Sequence, residues 1–163
     1  AKALEPLGLV FFEEPVNYRR VEWFRPIAES TSVPLSTGEL ITHRDEVAAY
    51  LKTAALGYFQ PEVGTNGGIL ETVKVAAMCE PFGVKIATHD WCGPIVWRAA
   101  SHACATIPNL LYQEWANCAP EDRWEQELLD PPTKVENGHV VLPDGPGLGS
   151  KINENNLKRR RIA

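Results

Sequence analysis

The sequence predicts an α/β protein in which parallel strands, each covered by a helix, form the later portion of a (β/α) barrel. Two observations carry that class: short apolar runs recur at an even interval, and helix-like segments fill the gaps between them. The runs are Leu9-Val10-Phe11-Phe12, Val33-Pro34-Leu35, Tyr58-Phe59, Val84-Lys85-Ile86-Ala87 and Leu110-Leu111-Tyr112. Their centres lie about 24 to 27 residues apart, enough for one strand, two loops and one helix.

The segments between the runs carry helix signals. Thr42 is expected to cap a helix with Asp45 and Glu46 in its first turn, continuing into Val47-Ala48-Ala49-Tyr50-Leu51. Gly68 to Phe82 places Ile69, Val73, Ala76, Ala77 and Cys79 at helical spacing, and Gly83 ends it. Repeated strand–helix units with buried strands imply a parallel sheet under helices. Even spacing without a Gly-rich phosphate loop favours a barrel of TIM type over a doubly wound sheet. Eight such units take about 250 residues, so five strands among 163 residues make an incomplete barrel. Residues 1–119 are expected to be that partial barrel and 120–163 a closing tail. In the tail, Val135 to Leu142 reads as a hairpin around Asn137-Gly138. Ala1 to Glu5 reads as the end of a helix without an initiator methionine, so the chain is expected to be a fragment.

Composition narrows the partners. An apolar fraction of 44% with 23% charged residues is ordinary for a folded domain. Sixteen basic against 21 acidic residues, a net charge of −5, argue against a nucleic-acid partner. The basic run Lys158 to Arg161 reads as a solvated helix end. No apolar stretch approaches the roughly 20 residues that span a bilayer, so no membrane partner is expected. Cys79, Cys92, Cys104 and Cys118 lack CxxC spacing and read as buried free thiols in a reducing cytoplasm.

Every apolar run ends in an ionisable residue: Glu13-Glu14, Glu39, Glu62, His89-Asp90 and Glu114. Chemistry in a parallel barrel sits where strands end, so these groups converge on one rim. Facing carboxylates repel and need a cation or shared protons. Oxygen ligands suit a hard ion such as Mg²⁺. A cation beside a histidine suits removal of the proton next to a substrate carboxylate. His89 is the natural base, with Glu62 orienting it. His43 and His102, in helical segments, and His139, in the tail hairpin, read as structural.

These residues resemble the mandelate racemase/muconate lactonizing enzyme family of the enolase superfamily, especially its sugar-acid dehydratases. Phe12-Glu13-Glu14-Pro15 resembles the fourth-strand motif and Thr37-Gly38-Glu39 the fifth, which makes Glu13 and Glu39 the implied Mg²⁺ ligands. Gln60-Pro61-Glu62 followed by Asn66-Gly67-Gly68 resembles the sixth, with Glu62 where the family usually has Asp. Ala87-Thr88-His89 fits the seventh-strand histidine, and Gln113-Glu114 the eighth-strand Glu that hydrogen-bonds substrate or acts as an electrophile. Leu142 to Gly149 resembles the closing segment.

The resemblance therefore implies strands 4–8 of the barrel. A third-strand Asp ligand, a second-strand base region and a capping domain would precede residue 1. The implied catalytic residues are His89, Glu62 and Glu114, with Glu14 and Trp91 assigned to the substrate, a small hydroxycarboxylate. The implied reaction is Mg²⁺-dependent abstraction of the α-proton, then dehydration of a sugar acid. Racemisation or epimerisation shares the first half-reaction. A non-catalytic half-barrel that survives by association is the other reading, because open sheet edges invite pairing and a homo-oligomer is expected.

Overall fold

The computed structural model describes residues 1–115 and 127–159. A 3₁₀ turn over Lys2–Leu7 is closed by Gly8 in the left-handed region. There follow β1 (Phe12–Glu13), α1 (Val21–Ser30), β2 (Leu35–Thr37), α2 (Arg44–Thr53), β3 (Leu56–Phe59), α3 (Ile69–Cys79), β4 (Lys85–Thr88), α4 (Pro94–Cys104) and β5 (Leu110–Gln113). The five strands are parallel and ordered as in the sequence, β1-β2-β3-β4-β5. Each helix packs on the next in the same order. A doubly wound sheet reverses its strand order at a switch point; this one never reverses. It is a sector of a barrel wall, as the spacing requires.

The core lies between the sheet and its helices. Leu35, Phe59 and Ile86 meet Phe24, Val47, Tyr50, Val75, Cys79 and Ala103 there. Phe24 stands edge-on to Tyr50 with ring centroids 5.2 Å apart, the geometry that the aromatic quadrupole favours. On the opposite, concave face Phe11 stacks near Tyr58 and Tyr112, at 5.3 and 6.3 Å. Those rings come from next to β1, from β3 and from β5, so alternate strands supply one layer, as inside a closed barrel.

Three local expectations shift. Leu9 and Val10 are exposed and precede the strand, because pairing begins only where the Phe12 N–H reaches the Pro34 carbonyl at 2.8 Å. Pro34 has no N–H to donate, and β2 correspondingly runs over Leu35–Thr37 rather than Val33–Leu35. The cap of α2 is His43, in extended geometry, not Thr42. Glu46 determines this: its carboxylate accepts the main-chain N–H groups of Thr42 and His43 and the Thr42 hydroxyl. That leaves His43 outside the helix.

The tail adds β6 (Leu129–Asp130), β7 (Lys134–Glu136), β8 (His139–Val141), β9 (Lys151–Ile152) and α5 (Glu154–Arg159). β7 and β8 form an antiparallel hairpin through Asn137 and Gly138, both at positive φ, and β6 pairs with β9. Buried Arg98 of α4 donates to the Pro131 carbonyl at 3.3 Å, and His102 meets the Leu148 carbonyl at the same distance. These contacts fasten the tail to the barrel wall. The expected boundary at 119/120 and Cys118 lie outside the described residues.

Candidate active site at the strand ends

Main-chain pairing carries β1, β3, β4 and β5 one step past their last regular residues. The N–H of Glu14 donates to Ser36 O (3.0 Å), that of Gln60 to Thr37 O (2.9 Å), that of His89 to Pro61 O (3.3 Å) and that of Glu114 to Thr88 O (3.1 Å). Glu62 and His89 thereby form a parallel bridge beyond β3 and β4. At the end of β2 the wall is tight. Gly38 has φ 151°, and a Cβ there would lie 2.7 Å from the Gln60 nitrogen. Only glycine lets β2 pass β3 this closely before the chain turns to present Glu39.

His89 is held on both sides. Its Nδ1 lies 3.0 Å from Glu62 Oε2, and its Nε2 lies 2.8 Å from Glu39 Oε2. Glu62 is 1% exposed. It also accepts the N–H of Trp91 at 3.0 Å and that of Gly64 at 3.3 Å. A buried carboxylate needs such donors to offset the loss of water. The longer Glu, where an Asp is usual, therefore still reaches the imidazole.

The remaining expected residues fall around this centre. Glu114 Oε2 accepts the Asp90 N–H at 2.9 Å. Glu14 sits at φ 38° and its Oε1 accepts the Thr37 hydroxyl at 2.7 Å. Burial pushes the Glu14 carboxyl above its ordinary range, and the charges of Glu39 and Glu13 add to the push; the Thr37 hydrogen bond opposes it. Glu13 is exposed. The Trp91 indole is also exposed, at 63%, so its tie to the centre runs through the main chain. Cys92, expected to be buried, is exposed in the same loop, whereas Cys79 and Cys104 are buried as expected. The loop after β4 leaves the core to cross the rim, which is why its thiol faces outward.

Among the described residues no three His, Cys, Asp or Glu side chains form a metal-holding group. Glu13 and Glu39, whose charges both act on Glu14, offer oxygen donors of the kind that a hard cation takes. A groove of about 440 Å³ between β5, the end of α4 and the tail hairpin is lined by Tyr112, Trp115, Val135 and Leu142, among others. It touches none of these rim groups.

One participant was not assigned a role from the sequence. Asp90 is fully buried, and its carboxyl is pushed up to about 8, chiefly by burial. Its place in the row of strand-end ionisable residues was the available signal; its burial depends on α4 and β5 closing over it.

A partial parallel barrel with acids and one histidine along a single rim defines the class: an α/β-barrel protein of enolase type. The sequence pattern of the enolase C-terminal domain-like family matches residues 1–156, and the chain belongs to that family. D-galactonate dehydratase of Xanthomonas campestris pv. campestris is 37% identical over 164 residues, 97% of this chain and 42% of that protein. D-gluconate dehydratase of Thermoproteus tenax is 30% identical over 99% of this chain and 32% of its own length. Among solved structures, a mandelate racemase/muconate lactonizing enzyme from Sulfitobacter sp. superposes with a TM-score of 0.91 at 33% identity. It is matched over 99% of this chain and 40% of its own. One from Jannaschia sp. CCS1 gives 0.90 at 34%, with the same coverage. The chain thus spans less than half the length of the proteins it matches.

Proposed function

We propose that this chain carries the proton-abstracting half of a hydroxycarboxylate dehydratase, with a sugar acid as substrate. The observation that carries the reading is His89 at the strand ends, held by Glu62 at Nδ1 and meeting Glu39 at Nε2, a contact that Glu39 would give up on holding a metal. Nε2 takes the proton α to the substrate carboxylate, and the C–H electrons move onto that carboxylate to give an enediolate. Glu62 stabilises the imidazolium that results. The enediolate expels the β-hydroxyl, His89 returns its proton to the leaving oxygen, and water departs. The remaining enol tautomerises to a 2-keto-3-deoxy acid.

Glu114, fixed by the Asp90 N–H, hydrogen-bonds the substrate, and Glu14 and Trp91 border it. Glu13 and Glu39 would hold Mg²⁺, whose charge, when bound, offsets the negative charge gathering on the substrate carboxylate. The dehydratases among the relatives favour elimination over racemisation.

We assign residues 1–119 to the barrel and 120–163 to the tail, and the setting to the cytoplasm. Free thiols at Cys79, Cys92 and Cys104 support that setting. The stacked rings of the concave face support association with further chain, most simply a second copy. The test is α-proton exchange in D₂O with Mg²⁺ and a panel of sugar acids, with the products identified by mass. A 2-keto-3-deoxy acid supports dehydration, an epimer supports racemisation, and no exchange with any acid counts against the whole reading.

A further inference from the structure

Between His89 and Trp91 stands a carboxyl that solvent does not reach. Asp90 is 0% exposed, and three elements hold it. Its N–H donates to Glu114 beyond β5 at 2.9 Å, and its carbonyl accepts the Trp97 indole N–H of α4 at 2.6 Å. Its Oδ2 accepts the Thr88 hydroxyl of β4 at 3.1 Å. Oδ1 has no partner among the described residues.

The titratable groups around it are Glu62 from the end of β3, Glu114 from the end of β5, and the thiols of Cys92 in the loop and Cys104 in α4. None is a cation. A buried carboxyl among acids has no ion pair to make, so its contribution is shape and hydrogen bonding. Three consecutive residues then act together: His89 and the Trp91 N–H address Glu62, while the Asp90 N–H addresses Glu114.

We infer that Asp90 is a positioning residue, whose buried carboxyl, anchored by the Thr88 hydroxyl, fixes the 89–91 turn so that Glu62 and Glu114 are oriented by one segment. The inference rests on the proton-abstraction reading for its catalytic consequence, but not for its structural one.

The experiment compares Asp90→Ala with Asp90→Asn, which keeps the shape and a hydrogen-bond donor. In ¹H–¹⁵N spectra of this chain, the amides of Gly64 and Trp91, both donors to Glu62, move in Asp90→Ala and hold near their native shifts in Asp90→Asn. Unmoved amides in Asp90→Ala overturn the proposal whatever the activity. Where the protein exchanges α-protons, Asp90→Ala lowers kcat about 100-fold, as a misplacement of about 1 Å does, with KM changed little. Asp90→Asn recovers most of that loss. Equal damage in both variants overturns the proposal, and so does a change confined to KM.

If Asp90→Ala does not fold, Asp90→Asn against wild type still decides. Between pH about 4 and about 8 the wild-type folding equilibrium should weaken about tenfold per pH unit relative to Asp90→Asn. The folded carboxyl, pushed up to about 8, keeps a proton that the unfolded chain has released. Equal pH dependence in the two proteins means that the carboxyl is not held as described, and overturns the inference.

Discussion

At the residue scale, the geometry around His89 depends on a carboxylate that cannot move. Glu62 is buried, and two main-chain donors besides the imidazole hold it. If Nε2 removes the substrate proton, His89→Asn should lower α-proton exchange by about 10²- to 10⁴-fold, the usual worth of a positioned general base. Exchange at the native rate would place the base elsewhere. Glu62→Gln keeps the size but loses the charge that steadies the imidazolium, and should cost about 10²-fold in kcat. Glu62→Ala should also destabilise the fold by about 2 kcal/mol or more, because the N–H groups of Gly64 and Trp91 lose their acceptor inside the protein. Urea denaturation checks that value. The sequence singled out both residues through their position after apolar runs. It did not reveal that Glu39 shares the imidazole, which follows from β2, β3 and β4 ending side by side.

At the scale of elements, the rim is built by pairing that continues past the regular strands, and Gly38 is where that pairing is tightest. A methyl group there would meet the Gln60 main chain at 2.7 to 2.8 Å, at a φ that side chains rarely adopt. Gly38→Ala should therefore cost several kcal/mol, above the roughly 1–3 kcal/mol of backbone strain alone, and should displace Glu39. A denaturation midpoint equal to that of the wild type would contradict this. The five strands and their order were legible because buried parallel strands and amphipathic helices leave different periodicities. Their boundaries moved by two residues at Pro34 and by one at Glu46. In both places a single hydrogen-bonding fact outweighed the apolar pattern: a missing donor at the proline, and a side chain accepting three hydrogen bonds at the glutamate.

At the scale of the whole molecule, the concave face is where the proposed association of the sector would be made. Phe11, Tyr58 and Tyr112 stack there, and Tyr112 is 44% exposed. Apolar rings left in water favour contact with other chains. The double substitution Tyr58→Lys with Tyr112→Lys should shift this chain toward its monomer in sedimentation, while its helical circular dichroism is retained because the core lies on the other face. A sedimentation coefficient unchanged by the pair would remove this face from the interface. The matched proteins are more than twice as long as this chain.

The sequence by itself determined the barrel sector, the order of its strands and the row of Glu13, Glu39, Glu62, His89 and Glu114. Periodicity and strand-end chemistry are properties of neighbours along the chain. Only the tertiary structure decided which of those groups touch: that His89 lies between Glu39 and Glu62, that Glu14 accepts the Thr37 hydroxyl, and that Asp90 is buried with its N–H on Glu114. Distance and burial arise from segments about 25 residues apart closing on one another. No local pattern records how far apart two strand ends will stand, or whether a helix will cover the carboxyl between them.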